Sequence, residues 1–441
     1  MRLFPAEPEI ADDEGFTPEN DIFRRKEFGE RLTRLVRYLD TPSVVLLDAP
    51  WGSGKTTFVK MWRGELRKLG VACVYFDAFA NDYQSDAFLA LASQIVAEAE
   101  AAKPDDARKV EAFKTKAVGA LKVIGRGAVK IGVKAATAGL VDADDVGETL
   151  ATAITGAGEE AAGSIDEALK KRLDAAKADK TSFASFRQAL SELSSSLGKP
   201  DAQQSKDEAP KPLVFIIDEL DRCRPSFALE MLELIKHFFN APNVAFVLVS
   251  NLPSLERAAR HAYGNMDTMS YLEKFYQVRI TLPFDLGNIR RYLDYLQIDH
   301  RAADTMAAIA EAKGLSFRTI QHVAAYYNMF NVVSSQYTPR MHDALAVVCV
   351  LRVIHPTLYN SVRKNKCTPD GILGAVDHVN WPSGGPTDRF RELMYYILHP
   401  TMLDAQTAET FRRSFLNDFN TSHVNLLKQY ADAIENFIAP G

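Results

Sequence analysis

The sequence predicts an α/β fold built on buried parallel strands, and three observations predict it. Ser43-Val-Val-Leu-Leu47 is a short, β-branched run that leads directly into the glycine-rich Ala49-Pro-Trp-Gly-Ser-Gly-Lys-Thr56. Behind the glycines, residues 57–69 lack proline and carry apolar side chains at helical spacing, so the pattern reads strand, loop, helix. Two further apolar runs of strand length, Leu213-Val-Phe-Ile-Ile217 and Asn243-Val-Ala-Phe-Val-Leu-Val-Ser250, end at polar residues, Asp218-Glu219 and Asn251.

Composition bounds the remaining possibilities. The chain has 441 residues, 47% of them hydrophobic, enough for two or three globular domains. A formal net charge of −5 gives no overall basic field of the kind that draws a whole molecule onto nucleic acid. Cys73, Cys223, Cys349 and Cys367 are far apart and form no CxxC pair, which indicates neither a disulfide framework nor a zinc site and fits a reducing cytoplasm. The acidic start, with Glu7, Glu9, Asp12, Asp13 and Glu14, lacks the charged-then-apolar layout of a secretory signal. No uncharged apolar run approaches the roughly 18–20 residues of a membrane span. A cytoplasmic location is expected.

The loop after the first strand has the chemistry of a phosphate cradle. Its backbone must curl until successive N–H groups converge on an anion, and a Cβ at Gly52 or Gly54 would block that approach. Lys55 then pairs with the β- and γ-phosphates, Thr56 offers its hydroxyl to Mg²⁺, and the N-terminus of the following helix faces the anion. Ala49, Pro50, Trp51, Ser53 and Thr57 complete the nucleotide-binding set. Ala49 stands where the G-x₄-G-K-[ST] pattern has its first glycine. The competing reading is an ordinary turn with a surface lysine, which the flanking strand and helix disfavour.

Asp218-Glu219, at the tip of a buried strand, reads as the second half of such a site. Asp218 is the metal ligand, and Glu219, displaced by the turn, is the candidate base that polarises the attacking water. A strand ending in two acids can also be the start of a solvated loop. The amide of Asn251 is placed to orient the water or to sense the γ-phosphate.

Taken together, Ala49-Pro-Trp-Gly-Ser-Gly-Lys-Thr-Thr57, Asp218-Glu-Leu-Asp-Arg-Cys223, Ala241-Pro-Asn-Val-Ala-Phe-Val-Leu-Val249 and Tyr271-Leu-Glu-Lys-Phe275 resemble the KAP family of P-loop NTPases. Asp21-Ile-Phe-Arg-Arg-Lys-Glu-Phe28 resembles the family's N-terminal box, and Tyr75-Phe-Asp-Ala-Phe79 its aromatic segment after the second strand. The resemblance implies a doubly wound, mainly parallel ASCE-type sheet of order 5-1-4-3-2, with strands near 43–48, 71–76, 213–217, 244–250 and 277–282, a helical insertion and a helical C-terminal region. It also implies ATP, not GTP, and no guanine-reading NKxD motif occurs. Glu219 stands where family members often have a second aspartate, which favours hydrolysis. Asn251 stands where the family frequently has an acid.

Further roles follow from the same likeness. Arg25 would lie near the adenine or ribose, with Phe23 and Phe28 packing on the base or in the core. Arg222 has two readings, a finger toward a neighbouring subunit's γ-phosphate and a partner for Asp221 or another acid in its own loop. Leu315-Ser-Phe-Arg-Thr-Ile-Gln321 resembles the start of a lid helix, where Arg318 is either a sensor of the γ-phosphate or a solvated arginine.

The expected organisation is an N-terminal box with the first half of the nucleotide domain over 1–100, an insertion over 101–210, the second half over 211–285, a lid over 286–335 and a helical region over 336–441. In the insertion, where many KAP proteins carry transmembrane helices, Lys116, Lys122, Arg126, Lys130 and Lys134 interrupt every apolar stretch before it can span. Leu121, Ile124, Ala128, Ile131 and Ala135 line the other side of that helix. Two partners compete for this basic amphipathic helix: anionic lipid, which would place it at the inner face of the membrane, and protein, as a hairpin with the alanine-rich stretch 146–178 or a neighbouring subunit. Protein packing is favoured, whereas nucleic acid is not indicated because no aromatics interleave the stripe. Residues 197–211 read as a polar return linker and 382–386 as a loop. His322, His342, His355 and His378 show no metal-ligand spacing.

The expected function is a KAP-type, Mg²⁺-dependent ATPase that acts as a nucleotide-driven switch or assembly factor, self-associating or binding protein partners through the insertion and C-terminal region. Family context points to phage or plasmid conflict or to membrane-associated assemblies. The alternatives are an ATP-binding scaffold with little turnover and, less favoured, a P-loop kinase.

Overall fold

The computed structural model describes residues 9–39, 41–84, 86–102, 107–136, 178, 180–197, 212–237, 241–264, 267–283, 286–333, 342–376, 379, 395–397, 403–416 and 426–437. The chain forms two compact units: Phe28–Asp48 with Trp62–Thr281, and Met1–Glu27 with Ala49–Met61 and Leu282–Gly441.

The first unit is built on five parallel strands, β1 (Ser43–Asp48), β2 (Cys73–Asp77), β3 (Leu213–Asp218), β4 (Val244–Ser250) and β5 (Val278–Thr281), in the order β2-β3-β4-β1-β5. Read from the other edge this is 5-1-4-3-2, the order that the resemblance implied. Every residue of β1, β3 and β4 is buried, as strands covered on both faces must be, which is why they read as continuous apolar runs without alternation. Edge strand β5 is largely exposed.

The parallel register lines up the carboxyl ends. Asp77 pairs with Asp218, Asp218 with Val249, and Asp48 with Ser250. The acids that close three strands thus share one edge, and the chain leaves β1 there to enter Ala49.

Around the sheet, Phe215 of β3 stacks on Phe246 of β4 with ring centroids 4.8 Å apart. Helix Pro225–His237 buries Phe227, Met231 and Leu234, and helix Ala87–Ala102 buries Phe88, Leu91 and Ile95. Fully buried Trp62 donates its indole N–H to Thr33 Oγ1 at 2.9 Å, so the largest core side chain has its one polar atom satisfied.

The insertion is rooted in this core. Helix Ala107–Ala136 buries Val110, Phe113, Ala117 and Ala120 along its first turns, and the returning helix over 180–197 buries Phe186, Leu190 and Leu193. Phe186 lies 5.2 Å from Phe88 and 5.4 Å from Phe113, centroid to centroid. The first helix continues to Ala136, and its side chains from 124 onward, the alanine-rich stretch, nearly all of the return linker, the loop 382–386 and His378 lie outside the described residues. Among the described residues no helix is long and apolar enough to cross a membrane.

The second unit holds helices Leu286–Tyr295, His300–Ala312, Phe317–Val333, His342–Ile354, Pro356–Arg363, Pro369–Ala375, Ala405–Leu416 and Leu426–Asn436. The expected lid and tail share one core here: Tyr327, Phe330, Leu345, Val348, Tyr359 and Tyr430 belong to a single buried cluster. Phe330 meets Tyr430 edge to face at 5.2 Å, and Tyr359 donates to the Ala431 carbonyl at 2.8 Å.

Phe186→Ala removes the ring that joins both roots of the insertion to the sheet unit. It is expected to lower unfolding stability by about 3–5 kcal/mol. Chemical denaturation measures this, and a loss under about 1 kcal/mol would show that the roots are not part of the cooperative core.

Candidate nucleotide site

The glycine loop adopts the backbone that its sequence demands. Gly52 and Gly54 have φ of 74° and 78°, left-handed values that an L side chain adopts only with strain. Space is equally restrictive at Gly52, where an added Cβ would lie 2.5 Å from Arg318 Cβ and 3.0 Å from Arg318 N. Arg318, the second residue of helix Phe317–Val333, therefore backs directly onto the loop.

Lys55 is almost fully buried, and its ammonium donates to the carbonyls of Ala49 at 2.8 Å and Pro50 at 3.3 Å. A buried cation held by carbonyl dipoles at the N-terminus of a helix has the chemistry of an anion site. Ser53 is 1% exposed, and its hydroxyl has no hydrogen-bond partner among the described residues. Trp51 is about half exposed, whereas Thr56 and Thr57 are partly buried on the first turn of the helix.

Arg25 is buried and braces the glycine loop. Its guanidinium donates to the Ser53 carbonyl at 2.9 Å and the Pro283 carbonyl at 2.8 Å, so it ties the loop backbone to the chain that leads to helix Leu286–Tyr295. It lies over the Phe23 ring at 4.8 Å. Phe23 in turn stacks on Phe317 at 4.1 Å, the packing role. Asp21 secures the turn by accepting from Arg25 N at 2.7 Å and Lys26 N at 2.9 Å.

In the sheet unit, Asp218 is fully buried. Its Oδ1 accepts from Glu219 N at 2.8 Å and its Oδ2 from the Tyr75 hydroxyl at 3.2 Å. Burial first, then the charge of Asp218, push the Tyr75 phenol well above its ordinary range, so it remains a donor to the carboxylate at neutral pH. Glu219 is left-handed, with φ 60° and ψ 24°, and its carboxylate meets Arg222 at 2.8 Å. Arg222 thus pairs with an acid of its own loop, Glu219. Asp221 instead accepts from Ser250 Oγ at 3.3 Å. The Asn251 side-chain oxygen caps helix Leu252–Tyr263, accepting from Ser254 N and Oγ at 2.9 and 2.8 Å.

Three contributors escape sequence reasoning. Tyr75 reads as part of an aromatic run, yet it orients Asp218. Asp48 holds two elements at once, accepting from Leu252 N at 2.9 Å and from Arg279 at 2.6 Å. Arg224 binds the loop after β2, through Asp82 Oδ2 to its N–H at 3.0 Å and through its guanidinium to the carbonyls of Asp82 and Gln84. An acid just before the glycine loop and an arginine on the neighbouring edge strand were the available signal for Asp48. Tyr75 and Arg224 had none without the register.

The family model described as the KAP family P-loop domain matches residues 25–313 of this chain. The chain belongs to the KAP family. Within it, 164 residues are 26% identical to the phage T7 exclusion protein of Escherichia coli (strain K12), a match covering 33% of this chain and 22% of that protein. This KAP chain thus spans about a fifth of the relative's length. The KAP loop is nucleotide-binding in design, and the residues present fit a nucleoside phosphate: the glycine cradle, the buried Lys55 and the unpartnered Ser53 hydroxyl all call for an anionic oxygen.

Gly52→Ala adds a Cβ to a left-handed residue already in contact with Arg318. Destabilisation above about 1 kcal/mol and loss of nucleotide binding are expected. Thermal unfolding and titration with a fluorescent ATP analogue measure the two effects, and unchanged binding would show that the cradle does not depend on this glycine.

Proposed function

We propose that this KAP protein is a Mg²⁺-dependent ATPase whose nucleotide cycle works as a switch. The observation that carries the reading is the burial of the Lys55 ammonium within a left-handed glycine loop, because an amine kept there among carbonyls has its chemical complement in the β- and γ-phosphates of a nucleotide. Support for ATP comes from the family to which the chain belongs.

In this reading Ala49, Pro50, Trp51, Gly52, Ser53, Gly54, Thr56 and Thr57 surround the phosphates, and Arg25 shapes the loop from behind. Thr56 and Asp218 would hold Mg²⁺. Both offer the hard oxygens that this ion prefers, and among the described residues no cluster of three or more His, Cys, Asp or Glu could hold a metal alone. That fits an ion that takes most of its ligands from phosphate and water. When bound, Mg²⁺ supplies charge neutralisation at the phosphates. Glu219 polarises the attacking water. Arg318 and the amide NH₂ of Asn251 read the γ-phosphate, the Asn251 oxygen being engaged in the helix cap.

The output of the cycle is proposed to pass to the insertion and the C-terminal helices, through self-association or a protein partner. The burial of Val110, Phe113 and Phe186 in the core that also holds Ile217 and Leu220, which flank Asp218-Glu219, supports coupling between sheet and insertion. The likeness to a phage exclusion protein supports a role in defence against phage.

Phosphate release from Mg-ATP by the wild type, Lys55→Ala and Glu219→Gln tests this, with nucleotide binding and sample mass followed in parallel. Lys55→Ala is expected to lose binding. Glu219→Gln is expected to keep binding while turnover falls about 100-fold or more. A wild type that binds ATP without releasing phosphate would instead favour the scaffold reading, and transfer to an acceptor other than water would favour the kinase.

Tyr75→Phe removes the hydroxyl that orients Asp218. Mg²⁺ affinity in the presence of nucleotide is expected to fall about tenfold or more, and an unchanged midpoint in a Mg²⁺ titration of binding would exclude that role.

A further inference from the structure

Glu219 is held to one turn by its main chain and its side chain together. Its N–H donates to Asp218 Oδ1 at 2.8 Å, its carbonyl accepts from Arg222 N at 3.0 Å and from the Cys223 thiol at 3.6 Å, and its Oε1 meets Arg222 Nη1 at 2.8 Å. Residues Leu220–Arg222 form a single 3₁₀ turn, the geometry in which side chains three positions apart eclipse one another. The turn therefore returns Arg222 directly over Glu219.

The neighbouring acid is engaged elsewhere, since Asp221 accepts from Ser250 at the end of β4. Asp221 fixes the turn to the sheet, and Arg222 fixes Glu219 to the turn. The Glu219 side chain is 14% exposed and that of Arg222 34%, so the carboxylate lies beneath the guanidinium.

We propose that Arg222 is a positioning residue for Glu219 in its own chain, setting the place of the carboxylate that polarises water, and not a group that acts on a neighbouring subunit's phosphate. The proposal rests on the hydrolytic reading above. A glutamate has three side-chain torsions, and a base must sit within hydrogen-bond reach of the proton it takes. A charge-assisted bond from a planar guanidinium to one carboxylate oxygen removes that freedom and directs the second oxygen. The left-handed backbone of Glu219 makes the arrangement specific, because it fixes where the side chain leaves the strand.

The test is a double-mutant cycle on phosphate release from Mg-ATP by the full chain: wild type, Arg222→Ala, Glu219→Gln and the double variant, with KM and affinity for a fluorescent ATP analogue measured for each. Arg222→Ala is expected to lower kcat about tenfold to 100-fold with KM within about twofold of wild type. In the Glu219→Gln background the same substitution should add little, since the group it positions is gone. Arg222→Lys should recover part of kcat, as should guanidinium ion added to Arg222→Ala, and either keeps the comparison open if the alanine variant folds poorly. Multiplicative losses in the double variant overturn the proposal. So does recovery of activity on mixing Arg222→Ala with Glu219→Gln chains, which marks an arginine acting between subunits. A wild type that binds ATP and releases no phosphate overturns the hydrolytic reading and this proposal with it, whereas turnover with a multiplicative cycle overturns this proposal alone.

Discussion

Burial of the central strands on both faces is the constraint from which the rest of the structure follows. A strand covered by helices on either side can carry no polar side chain along its length without desolvating it, so β1, β3 and β4 are apolar between their ends. Polar chemistry is confined to strand termini. Because the strands are parallel and in register, those termini collect along one edge, and Asp77, Asp218, Ser250 and Asp48 come to stand in a row. This polar edge is thus a direct outcome of the way the core is closed.

Charges at that edge need local compensation, and the structure supplies it with short-range donors. Asp218 receives a main-chain N–H and a phenol, Asp48 a main-chain N–H and a guanidinium, and Glu219 a guanidinium. In the other unit the burden is reversed: Lys55 and Arg25 are buried cations set against carbonyl oxygens. Carbonyl dipoles neutralise a cation only in part, whereas Asp48 and Glu219 meet a full positive charge.

Legibility in the sequence followed the range of the interactions. The strands, the glycine loop and the lid helices were readable because they rest on local pattern: β-branched runs, glycines at left-handed positions, apolar residues every third or fourth place. The first arm of the insertion was legible as a helix, but the returning helix over 180–197 and the attachment of both to the core were not, since Phe88, Phe113 and Phe186 meet only after long separations in the chain. Arg25 shows the same limit. Its place in the N-terminal box gave no sign of its contacts to the carbonyls of Ser53 and Pro283, the second of them 258 residues away. Asn251 was legible as a polar residue at a strand end, but its use as a helix cap depended on how the next three residues turn.

By itself the sequence determined the family, the type of the main elements and the glycine loop between the first strand and helix, because each of these is written in contiguous residues with fixed chemistry. Only the tertiary structure decided which partner each charged side chain takes. Tyr75 reaches Asp218 because β2 and β3 are neighbours, Arg279 reaches Asp48 because β5 flanks β1, and Arg222 meets Glu219 because the chain tightens into a 3₁₀ turn. Ion pairs and hydrogen bonds depend on distances of about 3 Å, and such distances between residues remote in the chain exist only once strand order and register are set.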